Sequence, residues 1–92
     1  MKDVRFLASA QADLRDIDNY YRNIDPDVAA RILKDIESAI AFLKEHPRMG
    51  RPTQQRGVRG KLSRRYRYRI VYRVTRNAVV IIGIYRFQNR ST

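Results

Sequence analysis

The chain has 92 residues, of which 43% are hydrophobic and 32% charged, and its 20 Lys/Arg against nine Asp/Glu give a formal net charge of +11 at pH 7. A chain of this length builds one core, so we expect a single domain over residues 1–92. With no cysteine, one histidine (His46), no export signal and no apolar run near the roughly 20 residues of a membrane span, we expect no disulfide, metal or other cofactor, no membrane contact and a cytoplasmic location.

The first half of the sequence predicts a short strand followed by two helices. "VRFLA" favours an edge strand over about residues 2–7. Apolar residues at 4-3-4-3 spacing then predict a helix over about residues 9–23, with Ser9 as its cap. Asp25 followed by Pro26 is typical of the start of a second helix, because proline loses no hydrogen bond in a first helical turn.

The second half predicts strands. "HPRMGRP", residues 46–52, ends the second helix in a turn-rich loop. Residues 66–74 alternate tyrosine or aliphatic residues at even positions with mainly arginine at odd ones, which predicts a strand with a core face and a basic face. After a turn at 75–78, "VVIIGIYRF" at 79–87 is typical of a central strand in which Gly83 suggests a bulge or a close backbone approach.

These elements predict an α+β fold in which an N-terminal helical hairpin packs on one face of a small twisted antiparallel β-sheet. The tyrosines at even positions, Tyr66, Tyr68 and Tyr72, are then expected in the core. The opposite face is predicted to carry a cluster of cations that binds a target or nucleic acid: Arg59, Lys61, Arg67, Arg69, Arg73 and Arg86.

The charge distribution supports a polyanionic partner. Residues 1–46 carry seven Lys/Arg and all nine Asp/Glu, whereas residues 47–92 carry thirteen Lys/Arg and no acid. A surface that only needs to be soluble would mix the two signs, so the second half is expected to meet nucleic acid or an acidic protein segment. Charge alone leaves both alternatives open.

Several segments together resemble the RelE/ParE superfamily, the small cytoplasmic toxins of bacterial type II toxin–antitoxin pairs. They are the helical half from "AQADLRDIDNYY" to "HPRMGRP", then "GVRGKL", "YRIVYRV" and "VVIIGIYR". The resemblance runs from about Val4 to Arg90, and the helical hairpin with its following loop is nearer the ParE branch. It implies the fold derived above and a cognate antitoxin that wraps the toxin in a hetero-oligomeric complex.

The branches of this superfamily differ in target. ParE-like members inhibit DNA gyrase by binding it, which is the function that the resemblance favours here. RelE-like members are ribosome-dependent mRNA endonucleases, and this alternative makes the protein a metal-independent enzyme. A second alternative is a basic nucleic-acid-binding module without toxicity, whose binding would weaken steeply with salt.

The nuclease alternative assigns roles to particular residues. Arg69 in "YRIVYRV" matches the arginine that nuclease members carry in this strand, and Arg59 with Lys61 resembles their basic pair. Tyr85 and Arg86 would assist proton transfer and phosphate binding, although "YRFQNR" departs from the residues of both branches at this point.

The antitoxin segment is expected to be both acidic and amphipathic. One helical layer cannot cover all the apolar residues of the last strand, so those left on the other face need an apolar partner. The residues assigned to antitoxin binding are Arg69, Val80, Ile82 and Ile84.

Overall fold

The computed structural model describes residues 2–86 and contains two helices and five strands within that range. In chain order they are β1 (Asp3–Phe6), α1 (Ala8–Ile24), α2 (Pro26–Glu45), β2 (Arg51–Pro52), β3 (Val58–Leu62), β4 (Tyr68–Val74) and β5 (Ala78–Arg86).

The helices form the predicted hairpin, joined at Asp25. Its carboxylate accepts a hydrogen bond from the Asp27 N–H at 3.0 Å, and Pro26 occupies the first turn of α2. The cap and the proline therefore start α2 as the sequence predicts.

The start of α1 differs from the prediction. The helix begins at Ala8, and Ser9 lies inside its first turn instead of capping it. The Ser9 hydroxyl donates to the carbonyl of Ile82 at 2.6 Å, while the Asp13 carboxylate accepts from the Ile84 N–H at 2.9 Å. These two side chains bind backbone hydrogen-bonding groups of β5 that extend beyond the end of the short β1. They therefore fix α1 against the sheet.

The strands lie in the order β1-β5-β4-β3-β2. All neighbours are antiparallel except β1 and β5, which run parallel with Val4 opposite Val79. The prediction of a wholly antiparallel sheet is wrong for this pair. The chain between β1 and β5 passes through both helices and three strands, which is long enough for the two strands to pair in parallel. Short segments of alternating residues in the sequence give no signal for this pairing.

The core lies between the helical hairpin and one face of the sheet. Its centre combines α2 residues with alternate residues of β4 and β5, namely Ile32, Ile36, Leu43, Tyr68, Ile70, Tyr72, Val79, Ile81 and Ile84. The predicted core phase of β4 is confirmed, although the strand begins at Tyr68, and Tyr66 packs only partly buried against the core from the preceding loop.

A bulge interrupts β5 near Gly83. Tyr72 pairs with Ile81 and Val71 pairs with Gly83, so Ile82 is an extra residue in the strand. An inserted residue reverses which face later side chains occupy. The suggested bulge is thus confirmed, and it places Ile84 in the core with an exposed fraction of 2%.

The loop after α2 is fastened to the sheet by Tyr72. Its buried hydroxyl donates to the Pro47 carbonyl at 2.7 Å and accepts from the Gly50 N–H at 2.9 Å. Arg59 adds hydrogen bonds from its guanidinium to the carbonyls of Arg48 at 3.1 Å and Gly50 at 2.8 Å. The loop is therefore held at the helix side of the sheet.

The loop between β3 and β4 is fastened by Asp35 of α2. Its carboxylate accepts from the backbone N–H groups of Arg65 at 3.0 Å and Tyr66 at 2.8 Å. Burial alone would raise the pKa of Asp35, but hydrogen bonds from Ser63, Tyr66 and Arg65 stabilise the charged form and the pKa lies below its ordinary value of 3.8.

Candidate interface on the open face of the sheet

The open face is defined here as the side of the sheet turned away from the helices. Because Tyr68, Ile70 and Tyr72 enter the core, the intervening β4 residues Arg69, Val71 and Arg73 lie on the open face. Arg69 and Val71 are half-buried and Arg73 is exposed, so the strand presents an apolar residue between two cations.

Arg69 lies at the centre of the open face, and its side chain packs closely against the backbone of the sheet. A Cβ on Gly60 of β3 would come within 2.9 Å of the Arg69 Nε, so the side chain rests on the backbone of that glycine. The missing side chain at Gly60 gives the guanidinium its place on the sheet.

Tyr85 of β5 is the direct cross-strand partner of Arg69. Its ring folds over Gly83, where a Cβ would lie 2.7 Å from the Tyr85 Cζ, and half of the side chain remains exposed at 50%. The bulge brings Tyr85 to the open face, so Arg69 and Tyr85, two of the residues assigned to the nuclease alternative, are adjacent.

Two recesses lie around Arg69. The edge recess, about 430 Å³, lies toward β3 and is lined chiefly by Met49, Arg51, Lys61, Leu62, Arg67 and Arg69. The central recess, about 440 Å³, lies between the 53–55 loop and the strands and includes Arg69, Val71 and Tyr85. Arg69 thus takes part in both recesses.

The predicted placement of Arg59 and Lys61 is wrong. They pair with the core residues Tyr72 and Ile70 and so lie on the helix side of the sheet. Arg59 donates to loop carbonyls, and the Lys61 ammonium stands over the Phe42 ring of α2 at 4.9 Å from its centroid. Both cations fit there because β3 lies near the edge of the helical layer. Lys61 still lines the edge recess.

Arg86 is also absent from the open face. It pairs with Tyr68, whose side chain is 4% exposed in the core, and is therefore directed to the helix side. Burial and a neighbouring Tyr21 raise the pKa of the Tyr68 hydroxyl, while the Arg86 charge opposes this rise. Tyr85 and Arg86 occupy opposite faces, so they cannot act as a pair on one surface.

The other predicted residues are divided between the two faces. Val80 and Ile82 alternate with the core residues Val79 and Ile81 and are half-buried on the open side. Ile84 is a core residue, so its predicted placement on the open face, the basis of its assignment to antitoxin binding, is wrong. Arg67 precedes β4 instead of lying within it and has a φ of 58°.

Sequence reasoning missed Arg51 and Met49, which line the edge recess from the loop after α2. Arg51 of β2 pairs with Gly60 of β3. Because the Arg69 side chain packs on the backbone of Gly60, this pairing places Arg51 beside Arg69. A two-residue strand has no detectable alternation, so the sequence held no signal for it.

The open face can bind anions and apolar groups but holds few groups that move protons. No carboxylate or histidine occurs between residues 47 and 92, and His46 packs against Phe42 on the helix side. Among residues 2–86, no cluster of His, Cys, Asp or Glu is suited to a metal ion. The phenolic hydroxyl of Tyr85 is therefore the candidate proton-transfer group beside Arg69 in the described part of this face.

Comparison with known proteins agrees with this fold. The chain superposes on a chain of the chromosomal ParDE TA system from P. aeruginosa with a TM-score of 0.83 and 26% identity, covering 96% of this chain and 98% of the other. It also superposes on a chain of the toxin–antitoxin complex RelBE2 from Mycobacterium tuberculosis with a TM-score of 0.61 and 27% identity, covering 94% and 98%. These matches define the class as a RelE/ParE-like toxin fold.

The particular family follows from the sequence. The family model described as the ParE toxin of the type II toxin–antitoxin system, parDE, matches residues 4–91. The "Putative toxin Y4kP" of Sinorhizobium fredii (strain NBRC 101917 / NGR234) is 31% identical over 87 residues, covering 95% of this chain and 91% of that protein. The chain belongs to the ParE toxin family of type II toxin–antitoxin systems, which confirms the resemblance and its nearer branch.

The structure gives one further finding about membranes. Neither α1 nor α2, within the described residues 2–86, combines the length and the apolar character that crossing a bilayer requires.

Proposed function

We propose that this protein is a cytoplasmic toxin that inhibits DNA gyrase by binding it, and that a cognate antitoxin with an acidic, amphipathic segment silences it in a hetero-oligomeric complex. The observation that carries the proposal is the composition of the open face, where Arg69 and Arg73 stand beside Val71, Val80 and Tyr85. Such a surface suits docking of a protein that offers carboxylates and apolar side chains.

The scarcity of proton-transfer groups supports binding over catalysis. Metal-free RNA cleavage needs a group to activate the 2′-hydroxyl and another to protonate the leaving oxygen. Arg59, Lys61 and Arg86, which the nuclease alternative would use, are directed to the helix side. Arg69 can stabilise a charged phosphorane, but that is only one of the required tasks.

The pairing of Arg69 with Tyr85 is the observation that favours the second candidate, a ribosome-dependent mRNA endonuclease. In that mechanism Arg69 would hold the phosphate and the Tyr85 hydroxyl would transfer a proton. The hydroxyl is therefore essential to the nuclease and dispensable for a docking surface.

The first experiment is to induce the protein alone in a bacterial host and to follow DNA and protein synthesis by pulse labelling. Gyrase inhibition predicts that DNA synthesis fails first while translation continues. Translation that collapses first would replace this proposal by the nuclease. With purified components, the protein should inhibit gyrase supercoiling and leave ribosome-bound mRNA intact.

Two variants separate the mechanisms. Tyr85→Phe keeps the ring over Gly83 and should retain toxicity, whereas a nuclease that uses the hydroxyl should lose on the order of 100-fold or more in activity. Arg69→Ala should weaken docking in either case. Arg31→Ala, which removes the same charge from the exposed surface of α2, is the matched control and should leave toxicity unchanged.

A further inference from the structure

The edge recess brings together three arginines from three separate elements. Arg51 comes from β2, Arg67 from the loop between β3 and β4, and Arg69 from β4. Among the described residues that line this recess there is no carboxylate, and the sequence holds none after Glu45. Like charges in one concavity repel one another, and an anion of high charge that enters the recess relieves this repulsion.

Gly60 of β3 gives two of these arginines their place. It pairs with Val71, an open-face residue, and with Arg51, so Arg51 lies on the open face as well. The Arg69 side chain packs on the same glycine, where a Cβ would come within 2.9 Å of its Nε. The two arginines therefore start from neighbouring positions, and Arg69 is already held against the sheet.

The loop that carries Arg67 has a fixed shape. The Ser63 N–H donates to the Tyr68 carbonyl at 2.8 Å, and the Tyr68 N–H donates to the Ser63 hydroxyl at 2.8 Å, so the two ends of the loop are tied together. From α2, the Asp35 carboxylate accepts from the backbone N–H groups of residues 65–66. The position from which Arg67 extends is thus set before any ligand binds.

The backbone of Arg67 is unusual. Its φ of 58° lies in the left-handed region, which glycine adopts freely and residues with long side chains adopt seldom. The loop therefore carries an arginine at a position where the turn alone would favour glycine. Strained residues of this kind concentrate at functional sites, and this one lines the edge recess.

The rest of the lining has a different character. Met49, which is 68% exposed, and Leu62 offer apolar surface. Lys61 also lines the recess, but its ammonium stands over the Phe42 ring on the helix side. The recess thus combines a cationic part, formed by the three arginines, with an apolar part.

We propose that the edge recess binds a chain of linked phosphates, such as that of a nucleoside triphosphate or of inorganic tripolyphosphate. Planar guanidinium groups bind phosphate oxygens bidentately, and a triphosphate has enough oxygens to engage Arg51, Arg67 and Arg69 together. The volume of about 430 Å³ lies within the range of small-molecule sites, about 300–1,000 Å³. A nucleoside attached to the phosphates lies against Met49 and Leu62.

The convergence of the arginines favours a compact anion over an extended one. A nucleic-acid strand carries its charges singly along its backbone, so it suits cations that are spread over a surface. Cations that only keep sheet edges apart need no concavity and no fixed loop. The site also differs from that of the nuclease alternative, because Tyr85 lines the central recess and not the edge recess.

Arg69 links this site to the rest of the open face, since it lines both the edge recess and the central recess. A triphosphate that engages the Arg69 guanidinium reduces its attraction for a carboxylate docking on the open face. If the proposed function holds, the ligand therefore weakens the docking of an acidic partner.

The first test is calorimetric titration of the full-length protein with inorganic tripolyphosphate at an ionic strength of about 0.15 M. Orthophosphate and citrate, a compact polyanion without phosphate, are the controls. We expect one tripolyphosphate per protein, bound at least about tenfold more tightly than either control. Equal binding of tripolyphosphate and citrate, binding of many ions per protein, or no binding would overturn the proposal.

ATP and GTP distinguish the two sources of the phosphate chain. Nucleotides that bind no more tightly than tripolyphosphate would support a site that recognises the phosphates alone. Tighter binding of a nucleotide would support a site that also uses the apolar surface of Met49 and Leu62.

Substitutions locate the site. Arg51→Gln and Arg69→Gln should each weaken tripolyphosphate binding about tenfold, because each removes a charge-assisted hydrogen bond. Arg64→Gln is the matched control, since Arg64 is exposed in the same loop as Arg67 but lines a recess on the helix side. This control should change binding less than about twofold. Equal losses in all three variants would show that only the net charge matters and would overturn the proposal.

Arg67→Gly separates binding from folding. Glycine adopts a φ of 58° without strain, so Tm should stay within about 4 °C of wild type while tripolyphosphate binding falls about tenfold. Unchanged binding in this variant would overturn the assignment of the site to three arginines.

A short single-stranded oligonucleotide tests the nucleic-acid account. Binding tighter than that of tripolyphosphate at equal phosphate concentration, weakened as much by Arg64→Gln as by Arg51→Gln, would assign the arginines to a nucleic-acid surface and overturn the proposal.

Tripolyphosphate binding and toxicity can fail independently. A protein that arrests growth when induced alone but does not bind tripolyphosphate overturns only the phosphate site. One that binds tripolyphosphate through the three arginines without arresting growth retains the site but overturns the toxin function.

Discussion

The hydroxyl of Tyr72 provides a direct test of how the loop before β2 is held. The residue is fully buried at 0% exposure, and its hydroxyl bonds both Pro47 and Gly50. Tyr72→Phe keeps the ring in the core and removes one donor and one acceptor. The change thus leaves the buried Gly50 N–H without its partner.

The expected cost follows from these contacts. A buried polar group that loses its hydrogen-bond partner costs about 1–3 kcal/mol of stability. The half-buried Pro47 carbonyl can accept from water instead, so we expect the free energy of unfolding of Tyr72→Phe to fall by about 1–2 kcal/mol. For a domain of this size, that loss lowers Tm by about 4–16 °C. Tyr20→Phe is the control. Because Tyr20 is 62% exposed, this substitution should change the free energy of unfolding by no more than about 0.5 kcal/mol.

The assay is thermal and urea unfolding of the purified protein, combined with Arg59→Met in a double-mutant cycle. The Tyr72 and Arg59 side chains both bind Gly50. Arg59→Met should therefore lower the free energy of unfolding less in Tyr72→Phe than in the wild-type protein, which gives a coupling energy of about 0.5 kcal/mol or more. A Tm within about 2 °C of wild type for Tyr72→Phe, or additive effects in the cycle, would refute this account of the loop.

Burial also raises the pKa of Tyr72 above its ordinary value of 10.0, although the Gly50 hydrogen bond and Arg59 oppose the rise. The folded state therefore disfavours the phenolate. The stability from Tyr72 is fully present below about pH 10 and declines as pH rises toward the folded pKa. The free energy of unfolding should fall less steeply in alkali for Tyr72→Phe than for wild type.

Three further predictions concern the core, acid stability and the open face. Ile84→Ala should cost about 2–5 kcal/mol in urea unfolding because Ile84 is in the core, whereas Val80→Ala on the open face should cost less, and equal losses would contradict the bulge. The pKa of Asp35 is lowered in the folded state, so the stability that its carboxylate contributes is present above the unfolded pKa of about 3.8 and is lost as pH falls through the folded pKa. The difference in free energy of unfolding between wild type and Asp35→Asn should therefore shrink in acid. A difference that stays constant with pH would show that Asp35 does not titrate in this way. Gly60→Ala should displace Arg69, leaving Tm within a few degrees of wild type but weakening antitoxin binding severalfold in calorimetry, whereas unchanged binding would show that the position of Arg69 does not matter.

The sequence predicted the elements best where a strong local signal had one interpretation. Asp25 and Pro26 start α2 because their capping chemistry is local. In β4, tyrosines and aliphatic residues alternate with arginines, so the core phase was evident and Arg69 and Arg73 were correctly placed. The family resemblance added the toxin class, which the matching family model confirms.

The predictions failed where a strand's phase depended on its neighbours. In β3 both phases are plausible, and pairing with β4 directs Arg59 and Lys61 to the helix side while Val58 is buried on the open side at 3% exposure. The sequence could not show that the 53–55 loop lies over Val58 or that the helical layer ends near β3.

Thus the sequence by itself determined the two helices, the strand segments other than β2, the basic second half and the superfamily, since each depends on local periodicity, composition or motif order. Only the tertiary structure decided the parallel pairing of β1 with β5 and the faces of Arg59, Ile84 and Arg86. The physical reason is that pairing with neighbouring strands sets the face of each side chain: the register with β4 decides the face of Arg59, and the extra residue Ile82 in β5 moves Ile84 and Arg86 to the helix side without altering the local sequence pattern.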